Sequence, residues 1–184
     1  MNFAIIAAST KEGAMALYHE VAARAWEILK AVFRHPEMLW VIIPVIISMV
    51  LISYYFGKYK KEELGWNTAF GNGVVMLFAC ADLIRYLYAH GLLGWNNYTI
   101  LVSVVLLEGL ALTTLDFLHA LPKSFAFALS SGMTVNAILI FLIVLVYGQI
   151  PLDYITAVAV TFLAAGIVIL LRIMQFFELE SDME

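Results

Sequence analysis

Charge is what this sequence has least of. Only 13% of its 184 residues are charged, about half the share of an ordinary soluble domain. Too little polar surface remains to hold a globule in water, because 64% of the residues are hydrophobic and mean hydropathy is +0.94. A single cysteine, Cys80, excludes an intrachain disulfide. Long polar stretches are missing too. The longest, Lys58 to Asn67, is far below the size of a soluble module, so the chain reads as one domain. Two-residue alternation of polar and apolar side chains is absent from the apolar runs, which excludes a membrane β-barrel. No phosphate-cradling glycine loop is present; Gly71 and Gly73 open an apolar run and read as packing positions. Ser53, Ser103, Ser130 and Ser131 have no histidine at matching depth, so no nucleophilic triad forms. The net charge of −4 comes largely from Glu178, Glu180, Asp182 and Glu184, which argues against a nucleic-acid partner at that end.

What is present is a series of apolar runs. A bilayer core about 30 Å thick needs about 20 apolar residues in a helix. Five stretches qualify: Met38–Phe56, Thr68–Ala89, Tyr98–His119, Ser124–Gly148 and Leu152–Phe177. The fold class expected is all-α, a polytopic membrane protein with five transmembrane helices. The short Leu121-Pro122-Lys123 and Gly148–Pro151 turns make the last three helices antiparallel neighbours. Tyr54, Tyr55, Tyr59, Trp66, Tyr86, Tyr88, Trp95 and Tyr98 fall near span ends, where amphipathic rings prefer to sit. Leu-Gly-Trp-Asn occurs at Leu64–Asn67 and again at Leu93–Asn96, each just ahead of a span. An Asn helix cap beside an interfacial Trp accounts for both copies.

Ahead of the first span, apolar residues at Met15, Tyr18, Val21, Ala22, Ala25, Trp26, Leu29, Val32 and Phe33 follow a helical period. Glu20, Arg24, Glu27, Lys30 and Arg34 occupy the opposite face. This pattern predicts an amphipathic helix that lies in the interface or docks on a partner. The domain reading is therefore 1–35 for the amphipathic segment, 36–177 for the five-helix bundle and 178–184 for a short acidic tail. Lys and Arg divide five against five between the two sides, so the positive-inside rule decides nothing. The basic amphipathic helix tips the expectation to a cytoplasmic N-terminus, on the anionic leaflet.

Ionisable groups inside spans are costly at mid-bilayer and point to pairing, a cavity or a function. Asp82 and Arg85 are three residues apart and suited to a local ion pair. Asp116 and Arg172 lie toward the same side and suit a pair between helices. Glu108 sits near mid-span with Val104, Val105, Ala111 and Leu112 as its one-turn neighbours. It has no cation on its own helix. Arg85 on the adjacent helix is about 9 Å nearer the surface, just within reach of an arginine side chain. Without that partner, Glu108 is protonated, wet or ligated. At 100° per residue, Glu108, Asp116 and His119 share a sector of about 100°. Ser130, Ser131, Gly132, Thr134 and Asn136 on the fourth span suit close packing or a polar path.

These residues suggest a cation or proton pathway, as a channel or transporter subunit, with Glu108 as the key group and Asp116 and His119 beside it. Asp82, Arg85 and Arg172 are assigned to structural ion pairs. Five helices enclose little interior, so the chain is expected to form a homo-oligomer or to join a membrane complex, with the lipid bilayer as its other partner. The alternative is a non-catalytic structural or assembly subunit docked through the N-terminal helix. A third reading, an intramembrane metalloenzyme, has Asp116 and His119 as ligands at i, i+3 and needs two more from elsewhere. No catalytic residue, metal or cofactor is assigned.

Overall fold

The computed structural model describes the backbone of residues 3–59 and 65–181, and the side chains of 13–59 and 65–176. The acidic tail 178–184 and the charged run 60–64 fall outside the described side chains. The described residues are organised as α1 (Phe3–Arg34), a 3-10 turn (Pro36–Met38), α2 (Leu39–Lys58), α3 (Trp66–Ala89), α4 (Asn97–Phe117), α5 (Lys123–Leu129), α6 (Gly132–Tyr147) and α7 (Tyr154–Ser181). Five helical segments are long and apolar enough to cross a membrane: Pro36–Lys58, Trp66–Ala89, Asn97–Phe117, Lys123–Tyr147 and Tyr154–Phe176.

The fourth of these is not one helix. Ser130 and Ser131 interrupt it, with Ser131 extended at φ −64° and ψ 142°. Serine hydroxyls offer the backbone an alternative to the helical ladder, and here Ser131 takes the amide of Thr134 as an N-cap at 3.1 Å. The unbroken helix expected over Ser124–Gly148 is therefore corrected to two.

The core forms around α6. Of the apolar window in Lys123–Tyr147, 67% lies buried inside the protein, against 17% for Tyr154–Phe176. From Phe141 to Tyr147 every residue is buried. α2 and α3 flank α6, α4 packs along α3, and α7 packs on α1 and α2. Small residues allow the close approaches. A Cβ at Gly73 would meet Thr113 of α4, and one at Gly109 would meet Met76 and Leu77 of α3.

The connections divide the bundle into two ends. Tyr98 donates to the Ile150 carbonyl at 3.2 Å and Tyr86 stacks on Tyr147 at 3.9 Å, which defines one end. At the other, Trp66 meets His119 and Phe127 edge-on, and Gln175 donates to Ser53. The two Leu-Gly-Trp-Asn copies differ. Asn96 caps α4, accepting from the amides of Tyr98 and Thr99 at 3.0 Å. At the first copy α3 begins one residue early, at Trp66, with Gly65 as cap, so Asn67 already lies in the helix.

α1 runs out beyond the bundle. From Gly13 to Glu20 every residue is exposed, and among the described residues of α1 those that pack on the core lie between Val21 and Val32. There Ala25, Ile28 and Ala31 are buried. Proline 36 ends the helix by disfavouring helical geometry at His35. Arg24, expected among the outward polar residues, turns inward instead. It pairs with Asp153 at 3.2 Å and donates to the Pro151 carbonyl and the Thr156 hydroxyl. The Thr156 amide, then the Thr156 hydroxyl and Arg24, hold the Asp153 carboxyl below the usual carboxylate range. This clamp fastens α1 to the start of α7.

Candidate functional site at the helix break

The break between α5 and α6 gathers polar groups from four elements. Asp116, in the last turn of α4, is 1% exposed. Its Oδ2 accepts from Ser130 Oγ at 2.6 Å. Its Oδ1, also buried, has no hydrogen-bond partner among the described residues. Leaving a buried acceptor unmatched costs on the order of 1–3 kcal/mol, and more for a charged group. Asp116 is thus a costly side chain to bury.

Around it, backbone freed by the break is matched by side chains. Asn72 of α3 donates to the Ser130 carbonyl at 2.7 Å. Thr134 donates to the Ala128 carbonyl at 3.0 Å and lies 2.8 Å from Ser131 Oγ. One turn before Asp116, Thr113 donates to the Gly109 carbonyl at 2.7 Å. Asn72 is six residues into α3, which places this layer about 9 Å from the helix end. The C-terminal carbonyls of α5 and the first amides of α6 meet here, two half-helix ends of opposite partial charge.

Beside the break, between α2, α6 and α7, lies a cavity of about 300 Å³ lined by residues that include Ser53, Ser131, Gly132 and Gln175. Gln175 is held there by Ser53, donating to its carbonyl at 3.1 Å and its hydroxyl at 3.2 Å. One turn further along α6, Asn136 reaches Ser48 of α2 at 3.4 Å.

The residues singled out from sequence separate in space. Glu108 lies two turns from Asp116, on the flank of α4. It is partly buried, within electrostatic reach of Cys80, and takes no hydrogen bond or ion pair among the described residues. His119 does not share a face with them, because α4 ends at Phe117. His119 adopts φ +51°, and its amide and that of Ala120 return to Asp116 and Leu115 in a Schellman turn. Its ring is exposed against Trp66 at 4.5 Å. Asp116 and His119 therefore do not converge on one ligand.

The expected Asp116–Arg172 pair is also corrected. Arg172 is exposed on α7, which packs on α1 and α2, whereas Asp116 faces the α5–α6 break. Asp82 and Arg85 do form an ion pair, at 2.6 Å. Tyr147 donates to the second oxygen of Asp82 at 3.0 Å, a partner that sequence spacing alone did not indicate. The break and Asn72 were missed as well. The signal for the break is the run Ser130-Ser131-Gly132 within an apolar stretch, which by sequence suits close packing or a polar path.

No family model, curated protein or solved structure matches this chain. The functional reading therefore rests on the geometry of the site.

Proposed function

We propose that this chain is an integral membrane protein that passes a cation or proton across the bilayer, as a channel or transporter subunit working in an oligomer. Asp116 is its ion-binding carboxylate. The observation that carries this reading is the unmatched, fully buried Oδ1 beside an interrupted spanning helix. Irregular backbone at membrane depth is tolerated where it is enclosed by protein or lines a cavity. Half-helix ends at such breaks are suited to holding ions. Glu108, two turns along α4, is the next acidic group on the path, and His119 stands at the end nearest Trp66.

In this reading α1 lies in the interface. Its sides are of three kinds: the docked face through Ala25, Ile28 and Ala31, the charged face with Glu20, Lys30 and Arg34, and an exposed apolar stripe with Trp26, Leu29 and Phe33. Lipid suits the stripe and water the charges. The basic residues favour the anionic cytoplasmic leaflet.

The test is cation and proton flux into proteoliposomes for the native protein and Asp116→Asn. Loss of flux in a folded variant is the expected result; native flux in that variant would sink the proposal. A second reading, a structural subunit of a larger complex, is favoured by the wholly exposed α1 segment from Gly13 to Glu20. Native mass spectrometry separates the two, since other polypeptides at fixed stoichiometry point to the second.

A further inference from the structure

We infer that the Asp116 site takes one monovalent alkali cation, bound by the Asp116 carboxylate and neutral oxygens at the α5–α6 break. The inference rests on the reading of Asp116 as the ion-binding carboxylate and narrows it to one class of ligand.

The first argument counts hydrogens. Each hydroxyl hydrogen identified around the break is already committed, and so is one of the two hydrogens on Asn72 Nδ2. Ser130 donates to Asp116 Oδ2, Thr134 to the Ala128 carbonyl, Thr113 to the Gly109 carbonyl and Asn72 to the Ser130 carbonyl. Ser131, 2.8 Å from a Thr134 hydroxyl whose hydrogen is used, donates to it. What the four hydroxyls leave free is oxygen lone pairs. Hydroxyl acceptors gathered near a buried carboxylate call for positive charge.

The second argument is reach. Oδ1 has no hydrogen-bond partner among the described residues. A proton placed on it would therefore be an O–H without an acceptor. A proton placed on Oδ2 against Ser130 would still leave Oδ1 a buried acceptor without a partner. A cation of sodium or calcium size holds oxygens at about 2.4 Å and so spans oxygens about 4–5 Å apart. That is a separation no single hydrogen bond closes.

The third argument is charge. Asp116 supplies one negative charge, and the next acid on its helix, Glu108, is two turns or about 12 Å away. Among the described residues no three His, Cys, Asp or Glu side chains come together. Divalent cations held by protein use several carboxylates, and one carboxylate would leave a net positive charge buried. A monovalent ion is neutralised. The neutral hard oxygens match an alkali cation rather than a softer metal.

The experiment measures the thermal unfolding midpoint of the full-length protein in detergent. NaCl, LiCl and KCl are each titrated against choline chloride at fixed ionic strength, with CaCl2 as a separate series. A saturable rise of about 3–5 °C at ten times Kd is expected with at least one alkali chloride. The rise should vanish in Asp116→Asn. In Ser130→Ala, which keeps the carboxylate, apparent affinity should fall about tenfold. A native protein indifferent to all three alkali ions overturns the inference, as does a response that persists in Asp116→Asn or one that saturates with micromolar calcium. Flux separates this from the broader reading. Proton flux without any alkali response removes the inference and leaves the pathway. Alkali binding without flux removes the pathway and leaves the site.

Discussion

The two ends of α6 each set a carboxylate against a hydroxyl, yet they are not equivalent. At Tyr147, Asp82 accepts from the phenol at 3.0 Å and from Arg85 at 2.6 Å, and the Arg85 side chain is 71% exposed. Its charge is matched and its counter-ion reaches outward. At Ser130, Asp116 has a single neutral hydroxyl, and the residue is 1% exposed. Helix geometry accounts for the contrast. Asp82 finds its cation one turn along its own helix, while Asp116 depends on what the break in the neighbouring span provides. A charge pair closed within one helix ties down structure; a carboxylate left open toward a break is available to a ligand.

The sharpest way to break this comparison is to neutralise each acid in turn. Asp116→Asn should lower cation flux by about 100-fold or more, a loss near 2.7 kcal/mol. Asp82→Asn should leave flux within about threefold and stability within about 1 kcal/mol, because exposed ion pairs contribute little. Equal losses of flux would mean that both acids belong to one path, and the division between them would fall.

A second test moves α4 without touching either acid. Gly73→Ala would place a methyl 2.6 Å from Thr113 Oγ1 and 3.1 Å from its backbone nitrogen. Backbone cannot rotate away as a side-chain tip can. We expect a loss of about 1–3 kcal/mol in unfolding free energy and weakened cation binding, since Asp116 lies one turn beyond Thr113. Gly166→Ala on α7, where a Cβ meets nothing within 4 Å, should be neutral or stabilising by up to about 1 kcal/mol. Denaturation of both variants in the same detergent checks the difference.

Much of this architecture was legible from sequence, and the parts that were not share a cause. Hydropathy located all five candidate spans, because a bilayer imposes length and composition on each span separately. The Asp82–Arg85 spacing was readable for a similar reason: both residues lie on one helix, where position fixes distance. Asp116–Ser130, Asn72–Ser130 and Tyr147–Asp82 join different helices, and neither span lengths nor periodicity sets their register. Glu108 drew attention by depth alone. Depth measures cost, but the most enclosed acid among the described residues is Asp116, near a helix end, against Ser130 at the α5–α6 break. Arg24 was placed with the outward charges by period, and only the position of Asp153 at the start of α7 turns it inward.

At the matched end of α6, Tyr147→Phe tests whether Asp82 needs its phenol. The change deletes one hydrogen bond and leaves Arg85 in place. It should cost about 1 kcal/mol, read as a fall of about 2–4 °C in the unfolding midpoint, with flux unchanged. A larger loss would make the Asp82 network the stricter of the two sites.

The smallest effect concerns how the chain leaves Asp116. Three helices close with a left-handed residue: Gly91 after α3, His119 after α4 and Gln149 after α6, at φ values of +66°, +51° and +47°. Glycine bears this conformation without strain, and a side chain costs about 1–2 kcal/mol there. His119 recovers part of that cost through its edge contact with Trp66, in the range of about 0.5–1.5 kcal/mol for such pairs. His119→Gly should therefore change stability by less than about 0.5 kcal/mol, strain relief offsetting the lost contact. His119→Ala keeps the strain and also loses the ring, so it should be less stable than His119→Gly by about 1 kcal/mol. Measuring the two variants side by side isolates the backbone contribution. If alanine matches glycine, the turn after Asp116 is not strained, and the histidine is held there by its ring alone.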